Sequence, residues 1–450
     1  MLYEEFKSAV VAACKANNLS EYELYYTDSD SLGISIFMQD EVDTYSSENT
    51  MGVCFRCIVD GKTGYASTEN LSEEDAKNLV EHAIANAKSI ENDDKSFIHK
   101  SGDTYATFEK EAWTMPSGKE LIEFGKKIQK EVYAGDERVV DGTQTSVGAG
   151  TGKVAIYNSN GLDLFDETGF CYGYSIAIVS EGEERYNGIG VNTSTSFRLD
   201  EKKIAKEAVE EAISTIGATS LPTGKYKAVL SPEVMYTFLD TFGPIFYGES
   251  AQKGLSLLKG KEGEMIAAPI ITIVDDPMEA TSLSKRSFDD EGVATYKKNV
   301  IEKGQLKTLL YNLKSANVDG VKSTGNGFKA GYTAPVTTNT GSFYIQPGTV
   351  SKEDLYKQVG NGVLVTDISG MHAGANPISG DFSLVSEGYL ITDGKKGAPI
   401  KNFTISGNFY SLLKEVKVLG NDFKFNKFAF GSSRCGSPSA LFDEISVAGE

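Results

Sequence analysis

An internal repeat constrains this 450-residue chain more than any other feature. From Ser72, apolar residues fall at Ala76, Leu79, Val80, Ala83, Ile84 and Ala87. From Asp200 they fall at Ala205, Ala208, Val209, Ala212, Ile213 and Ile216, each 129 positions after its counterpart. Both sets follow the i, i+3, i+4, i+7 spacing of a helix with one apolar face, and Ser72 and Asp200 suit the N-cap. Strand-like runs precede each helix in the same order: 34–37, 52–59 and 64–66 before the first, 154–157, 174–179 and 188–191 before the second. Asp60-Gly61 is a hairpin signal between apolar runs. A helix opens each unit, at 3–17 and at 117–133. Each unit thus reads helix, antiparallel strands, helix, and the two are expected to pack their sheets together around one shared core.

A single core rarely keeps growing in a chain of this length, so two domains are expected, 1–222 and 223–450. The polar, irregular stretch 90–116 bridges the two repeats, and 217–224, with Pro222 between small polar residues, marks the boundary. The second half opens with a strand at 226–230. Ser231 and Pro232 then start a helix, as N-cap and first-turn residues, that runs to about Phe242. Short apolar runs separated by glycine follow at 270–274, 308–313, 343–345, 363–368, 383–391 and 401–405, with a helix within 409–419. The fold class is α+β: a repeat domain of two helix–antiparallel-sheet–helix units, then a β-rich domain.

The net charge of −19 repels nucleic-acid phosphates and anionic lipid heads. No apolar run is long enough for a membrane span. Glu4 and Glu5 stand where a secretory signal would carry positive charge. Five scattered cysteines form no disulfide framework. These features lead us to expect a cytoplasmic protein that uses neither nucleic acid nor membrane.

Metal and nucleotide motifs fail on spacing. The three histidines, His82, His99 and His372, cannot make a helical zinc motif, which needs two histidines on one face with a glutamate between them. Cys54 and Cys57 lie i, i+3 on a strand and so point to opposite faces. Asp28-Ser29-Asp30-Ser31-Leu32-Gly33 lacks the ligands that close a calcium loop. Gly148-Ala149-Gly150-Thr151-Gly152-Lys153 has the wrong glycine spacing for a phosphate loop and reads as a turn between strands. Phe288-Asp289-Asp290-Glu291-Gly292 is an acidic turn whose three carboxylates could bind a cation, solvated loop acids being the commoner reading. The stretch 370–383 is the most unusual: small, polar and glycine-rich, it supplies donors, acceptors and a possible base in His372, Asn376, Ser379 and Asp381.

Several separated stretches resemble the TldD/PmbA family. These are Gly64-Tyr65-Ala66-Ser67-Thr68 with Leu71-Ser72-Glu73-Glu74-Asp75-Ala76-Lys77, Arg286-Ser287-Phe288-Asp289-Asp290-Glu291-Gly292 with Gly304-Gln305-Leu306, and Ser406-Gly407-Asn408 with Val447-Ala448-Gly449. His372-Ala373-Gly374-Ala375-Asn376 with Ser379-Gly380-Asp381-Phe382-Ser383 is similar to the PmbA (TldE) branch in particular. The resemblance implies a partnership. The TldD-type subunit is a zinc peptidase with an HExxxH helix and a downstream cysteine, and the pair acts on unfolded or small peptides. Counting back from 248–254 places Leu239 and Pro244 at the two histidine positions and Asp240 at the glutamate. Cys435 precedes Gly436-Ser437-Pro438 too closely to match the zinc cysteine. The implied role is a non-catalytic subunit with no metal or cofactor of its own, zinc being expected in the TldD-type partner. Residues expected to meet substrate or partner are His372, Asn376, Ser379, Asp381, Phe382, Gly248 and Glu249, with His372 and Asp381 as catalytic candidates. The alternatives are a stand-alone hydrolase using 370–383 and a homodimeric peptide-binding module. The family's older label, modulator of DNA gyrase, has no counterpart in these residues, which include no basic nucleic-acid-reading element.

Overall fold

The computed structural model describes residues 1–37, 41–91, 97–428 and 433–449. The repeat is realised as α1 (Tyr3–Ala16), β1 (Tyr22–Phe37), β2 (Glu41–Val59), β3 (Lys62–Thr68) and α2 (Glu73–Ser89), followed by α3 (Gly118–Gly135), β4 (Gln144–Asn158), β5 (Asp163–Glu181), β6 (Glu184–Ser194) and α4 (Glu201–Ser214). The six strands form one antiparallel sheet in the order β3-β2-β1-β4-β5-β6. The two units therefore join edge to edge, β1 pairing with β4 from Glu23↔Asn158 to Phe37↔Gln144.

The core is not shared, contrary to expectation. Phe6, Leu24, Phe55, Leu79 and Val80 cluster under α1 and α2, while Ile34, Leu121, Ile128, Val147 and Val209 cluster under α3 and α4. Both clusters use even-numbered positions of β1, so all four helices cover one face of the sheet. Side-by-side joining keeps each unit's apolar patch over its own strands.

Local chemistry fixes the helices. Ser72 Oγ accepts the Asp75 amide at 3.1 Å and Asp200 Oδ1 the Lys203 amide at 2.9 Å. Ser117 and Glu120 form a capping box on α3. Close approach requires glycine twice over: a Cβ on Gly64 would lie 1.9 Å from the Ala83 carbonyl oxygen of α2, and one on Gly188 would lie 2.3 Å from the Ala208 oxygen of α4. Cys54 and Cys57 do point to opposite faces, both buried in different clusters. The glycine-rich stretch 148–153 is not a turn: it lies inside β4, and 28–33 lies inside β1, where continuous pairing overrides the local glycine preference.

The second half contains β7 (Gly224–Leu230), α5 (Pro232–Phe242), a two-stranded ribbon of Gly327–Lys329 with Val336–Thr338, and two six-stranded sheets. In one, Lys395–Asn408, Asp381–Thr392, Gly362–Ser369, β7 and Ala440–Ala448 follow in order. Ala440–Ala448 then pairs back onto Lys395–Asn408 and closes a barrel. The other holds Gln305–Leu306, Lys298–Glu302, Ile273–Asp276, Ser342–Ile345, Arg434–Ser437 and Lys424–Phe425. The run 308–313 forms no strand beyond a single bridge from Leu310 to Tyr247, and a helix begins at Leu313. The helix Lys352–Val359 was not foreseen. Ser231 caps α5 with Pro232 in its first turn, as expected. α5 joins the barrel to the second sheet: Phe238 packs 4.7 Å from the ring of Phe382, and Phe242 stacks on Phe409 at 4.7 Å.

The face of the N-terminal sheet away from its helices receives the acidic turn. Phe288 inserts among Tyr25, Cys54, Val154 and Ile156. Asp289, Asp290 and Glu291 are 0–3% exposed, so the solvated reading fails. Asp289 accepts the amides of Glu291, Val293 and Gly327. Asp290 Oδ1 accepts from Arg286 Nη1 at 2.8 Å and Tyr25 Oη at 3.1 Å. Glu291 accepts the Leu313 amide and lies 3.9 Å from Arg56, which grips Glu23. Burial became tolerable because each carboxylate found donors, several of them from the other half of the chain.

Candidate functional site

Two of the stretches singled out in the sequence, 370–383 and 248–254 with the residues just after it, converge near one residue neither contains. Tyr410 Oη accepts the Leu257 amide at 3.3 Å and donates to the Ile378 carbonyl at 3.4 Å. Gly380 fits there because a Cβ would press on the Tyr410 ring at 2.6 Å. Around this joint Leu255, Leu257 and Ile378 are 42–54% exposed, a cluster of apolar side chains at the surface of the C-terminal domain.

Asn408 organises the loop beneath them. Its Nδ2 donates to the Ser379 carbonyl and to Asp381 Oδ1, both at 2.8 Å, while its Oδ1 caps the helix Phe409–Glu415 through the amides of Tyr410 and Ser411. Ser379 Oγ donates to Asp381 Oδ2 at 2.8 Å. The Asn408 amide, then the Ser379 hydroxyl, hold the Asp381 carboxyl below its usual range. Asn376 Oδ1 accepts the Ile378 and Ser379 amides. These bonds shape the loop. His372 lies exposed on the one-turn helix Met371–Gly374, and among the described residues no hydrogen bond joins it to Ser379 or Asp381. Phe382 is buried against α5. Gly248 is buried and a Cβ there would strike Tyr311 at 2.1 Å, whereas Glu249 pairs with Lys253 at 2.6 Å. Neither Asn408 nor Tyr410 was assigned a role from the sequence. The only local signal was Asn408 as a cap before an apolar run.

The second feature is the C-terminal end of α5. Cys435 Sγ lies 3.7 Å from Asp240 Oδ1, so the thiol and the carboxyl, 195 positions apart, meet where α5 crosses the second sheet. Asp240 is open to solvent on one side, yet surrounding protein pushes its carboxyl above the usual range, and the thiol contact only partly offsets this. Burial first, then the Asp240 charge, pushes the Cys435 thiol well above its ordinary value, so it is a poor nucleophile at neutral pH. Leu239 is fully buried and apolar, and Pro244 has no side-chain donor atom. Zinc in proteins takes three or four nitrogen, sulfur or oxygen ligands. Among the described residues no group of three or more His, Cys, Asp or Glu side chains is arranged to hold a metal, and the donor set at α5 does not fit a zinc ion.

Beneath this point lies a buried polar network: Lys298 Nζ donates to Asp275 at 2.8 Å and Asn326 at 3.1 Å, and Asn326 donates to Asp275 and the Asn339 carbonyl, each at 2.8 Å. It is internally satisfied and rigidifies the second sheet.

Three family models match consecutive parts of the chain: PmbA/TldA metallopeptidase domain 1 at 22–87, the central domain at 112–216 and the C-terminal domain at 223–449. An uncharacterized protein of Methanocaldococcus jannaschii is 30% identical over 390 residues, 84% of this chain and 87% of the relative. A protein named metalloprotease PmbA homolog from Haemophilus influenzae is 24% identical over 450 residues, 98% of this chain and 94% of the relative. Among solved structures, a putative modulator of a DNA gyrase from Thermotoga maritima superposes with a TM-score of 0.89 at 33% identity, covering 99% of this chain and all of that one. TldE from Thermococcus kodakarensis gives 0.87 at 25% identity, covering 98% and 99%. No helix among the described residues is long and apolar enough to cross a membrane. The order of the matched segments, the coverage and the agreement in fold together place this chain in the PmbA/TldD metallopeptidase family.

Proposed function

We propose that the chain is the non-catalytic, TldE-like subunit of a peptidase whose zinc is carried by a TldD-type partner, and that it helps hold unfolded or small peptides for that partner. The observation that carries the reading is the composition of α5 and the turn that follows it: buried Leu239 in the helix and Pro244 just after it stand at the positions the family resemblance assigns to zinc ligands. The apolar cluster around Tyr410 supports it as a docking face. Docking there buries Leu255, Leu257 and Ile378, and removing such side chains from water favours association. Extended peptides add to sheet edges through backbone hydrogen bonds that any sequence can make, and β3 and β6 form the two edges of the N-terminal sheet. Stand-alone hydrolysis by His372 has less support, because Ser379 donates its proton directly to Asp381 and the histidine stands apart.

The test is zinc content and peptide cleavage by the purified chain, by a TldD-type subunit, and by the two mixed. Cleavage in the mixture, with zinc and activity following the partner, is the expected result. Chelator-sensitive cleavage by this chain alone would overturn the reading. Leu257→Asp with Ile378→Asp should weaken assembly while leaving far-UV circular dichroism unchanged.

A further inference from the structure

The two stretches discounted as ion loops lie side by side in β1 and β4 and floor a cleft of about 350 Å³, roofed by Leu283, Ser284 and Arg286. A few residues away the same sheet face carries Tyr25 and Ile156, packed under Phe288. Here it carries Ser29, Ser31, Gly152 and Thr168. Small side chains leave a space that a well-packed contact between two layers would fill.

Most charges around the cleft are paired within the chain: Lys153 with Asp28 at 2.9 Å, Asp166 with Lys110, and Asp30 with Asn49 Nδ2 at 2.6 Å. Arg286 is only half served. Its side chain is 12% exposed and Nη1 donates to Asp290, but Nε and Nη2 are buried without a hydrogen-bond partner among the described residues. The Phe288 and Phe328 rings, 5.2 and 5.9 Å from the guanidinium carbon, favour the charge without accepting those N–H groups as a carboxylate would. Arg56 shows what that edge binds: its Nε and Nη2 donate to the two oxygens of Glu23 at 2.8 and 3.2 Å. The same edge of Arg286 is buried with no hydrogen-bond partner among the described residues, and a planar carboxylate matches its geometry. Asp30 and Asp166 line the same cleft and disfavour a doubly charged group such as phosphate.

We propose that this cleft binds a carboxylate through Nε and Nη2 of Arg286 and, resting on the peptide-handling reading above, that the carboxylate is the C-terminus of a peptide. The adjoining cleft of about 810 Å³ shares Asp166, Thr168 and Leu283 with it and offers Phe108, Trp113 and Phe165 to the rest of the peptide chain. Trp113, the sole tryptophan, lines the larger cleft and donates to Thr151, which lines the smaller.

Trp113 therefore reports occupancy. The full chain is titrated with one tyrosine- and tryptophan-free peptide as the free acid, as the C-terminal amide, and as an amide carrying an internal glutamate. The free acid should bind about tenfold or more tighter than the plain amide, the scale of a hydrogen bond to a charged group. That preference should vanish in Arg286→Lys, which keeps the charge on Asp290 and loses the fork. It should also vanish in Gly152→Val, which grows into the cleft where a Cβ meets only Thr168 Oγ1 at 3.7 Å. Circular dichroism checks folding, and Gly152→Val stands alone if the arginine variant fails to fold. Equal binding of acid and amide, a preference that survives Gly152→Val, or no binding of any peptide overturns the assignment. A glutamate amide that matches the free acid overturns the C-terminal identity. None of these results touches cleavage by the mixture with a zinc subunit, which judges the peptide-handling reading separately.

Discussion

Replacing Arg56 by methionine should be among the most costly single changes in the contact between the two halves of the chain. Arg56, Glu23 and Glu291 are 4%, 2% and 3% exposed, so water does not screen them. The guanidinium makes a two-bond grip on Glu23 and faces Glu291 at 3.9 Å. Methionine fills much of the volume but leaves two buried carboxyls without their counter-charge. Breaking a buried pair by removing one partner costs about 3–5 kcal/mol. Glu291 relieves part of its share by taking up a proton: burial first, opposed by Arg56, already pushes its carboxyl up to about 7. The cost therefore falls mostly on Glu23, and Glu23→Gln in the Arg56→Met background should recover about half of it. The assay is urea unfolding followed by Trp113 fluorescence, with thiol labelling of Cys54, which is buried in the contact beside Phe288. A loss below about 1 kcal/mol, or equal stability of the single and double variants, would refute the argument that the charges are interdependent.

The remaining predictions concern other parts of the molecule. Because burial pushes the folded Glu291 carboxyl up to about 7, from the ordinary 4.5 of an exposed glutamate, the folded state binds the extra proton between those values. Stability should accordingly rise, by an amount on the order of 3 kcal/mol, as pH falls from about 7 towards 4.5, and Glu291→Gln should flatten that slope in urea titrations. Gly64→Val should cost about 3 kcal/mol or more, since its Cβ enters the backbone of α2, whereas Gly152→Ala should be nearly neutral; thermal melts compare the two. Asn408→Ala removes a helix cap and two bonds to the 376–381 loop. A loss of about 1–2 kcal/mol is expected, with faster proteolytic nicking of that loop than of the barrel strands. It also raises Asp381 towards the usual carboxylate range, which chemical-shift titration reads directly.

Periodicity and local chemistry sufficed for the elements that are stabilised locally. The 129-residue offset, the caps at Ser72 and Asp200, and the Ser231-Pro232 start of α5 all reappear as built. So does the opposite facing of Cys54 and Cys57, because a strand's period of two needs no knowledge of its partner.

Everything set by distant partners needed the tertiary structure. Whether two repeats share a core or only an edge depends on β1 finding β4, and strand pairing carried the glycines at 148–153 into a sheet that their local preference opposes. Asp289, Asp290 and Glu291 looked solvated because acids usually are, and became interior only when Arg56, Arg286, Tyr25 and several backbone amides arrived from elsewhere. Tyr410 gained meaning from the two loops that meet on it, and Cys435 from Asp240 on α5. The sequence alone determined the repeats and their helices, through spacing along a single element. The buried charges, the joined loops and the half-served Arg286 were decided by tertiary structure, because a polar group's cost or use depends on which distant donors and acceptors surround it.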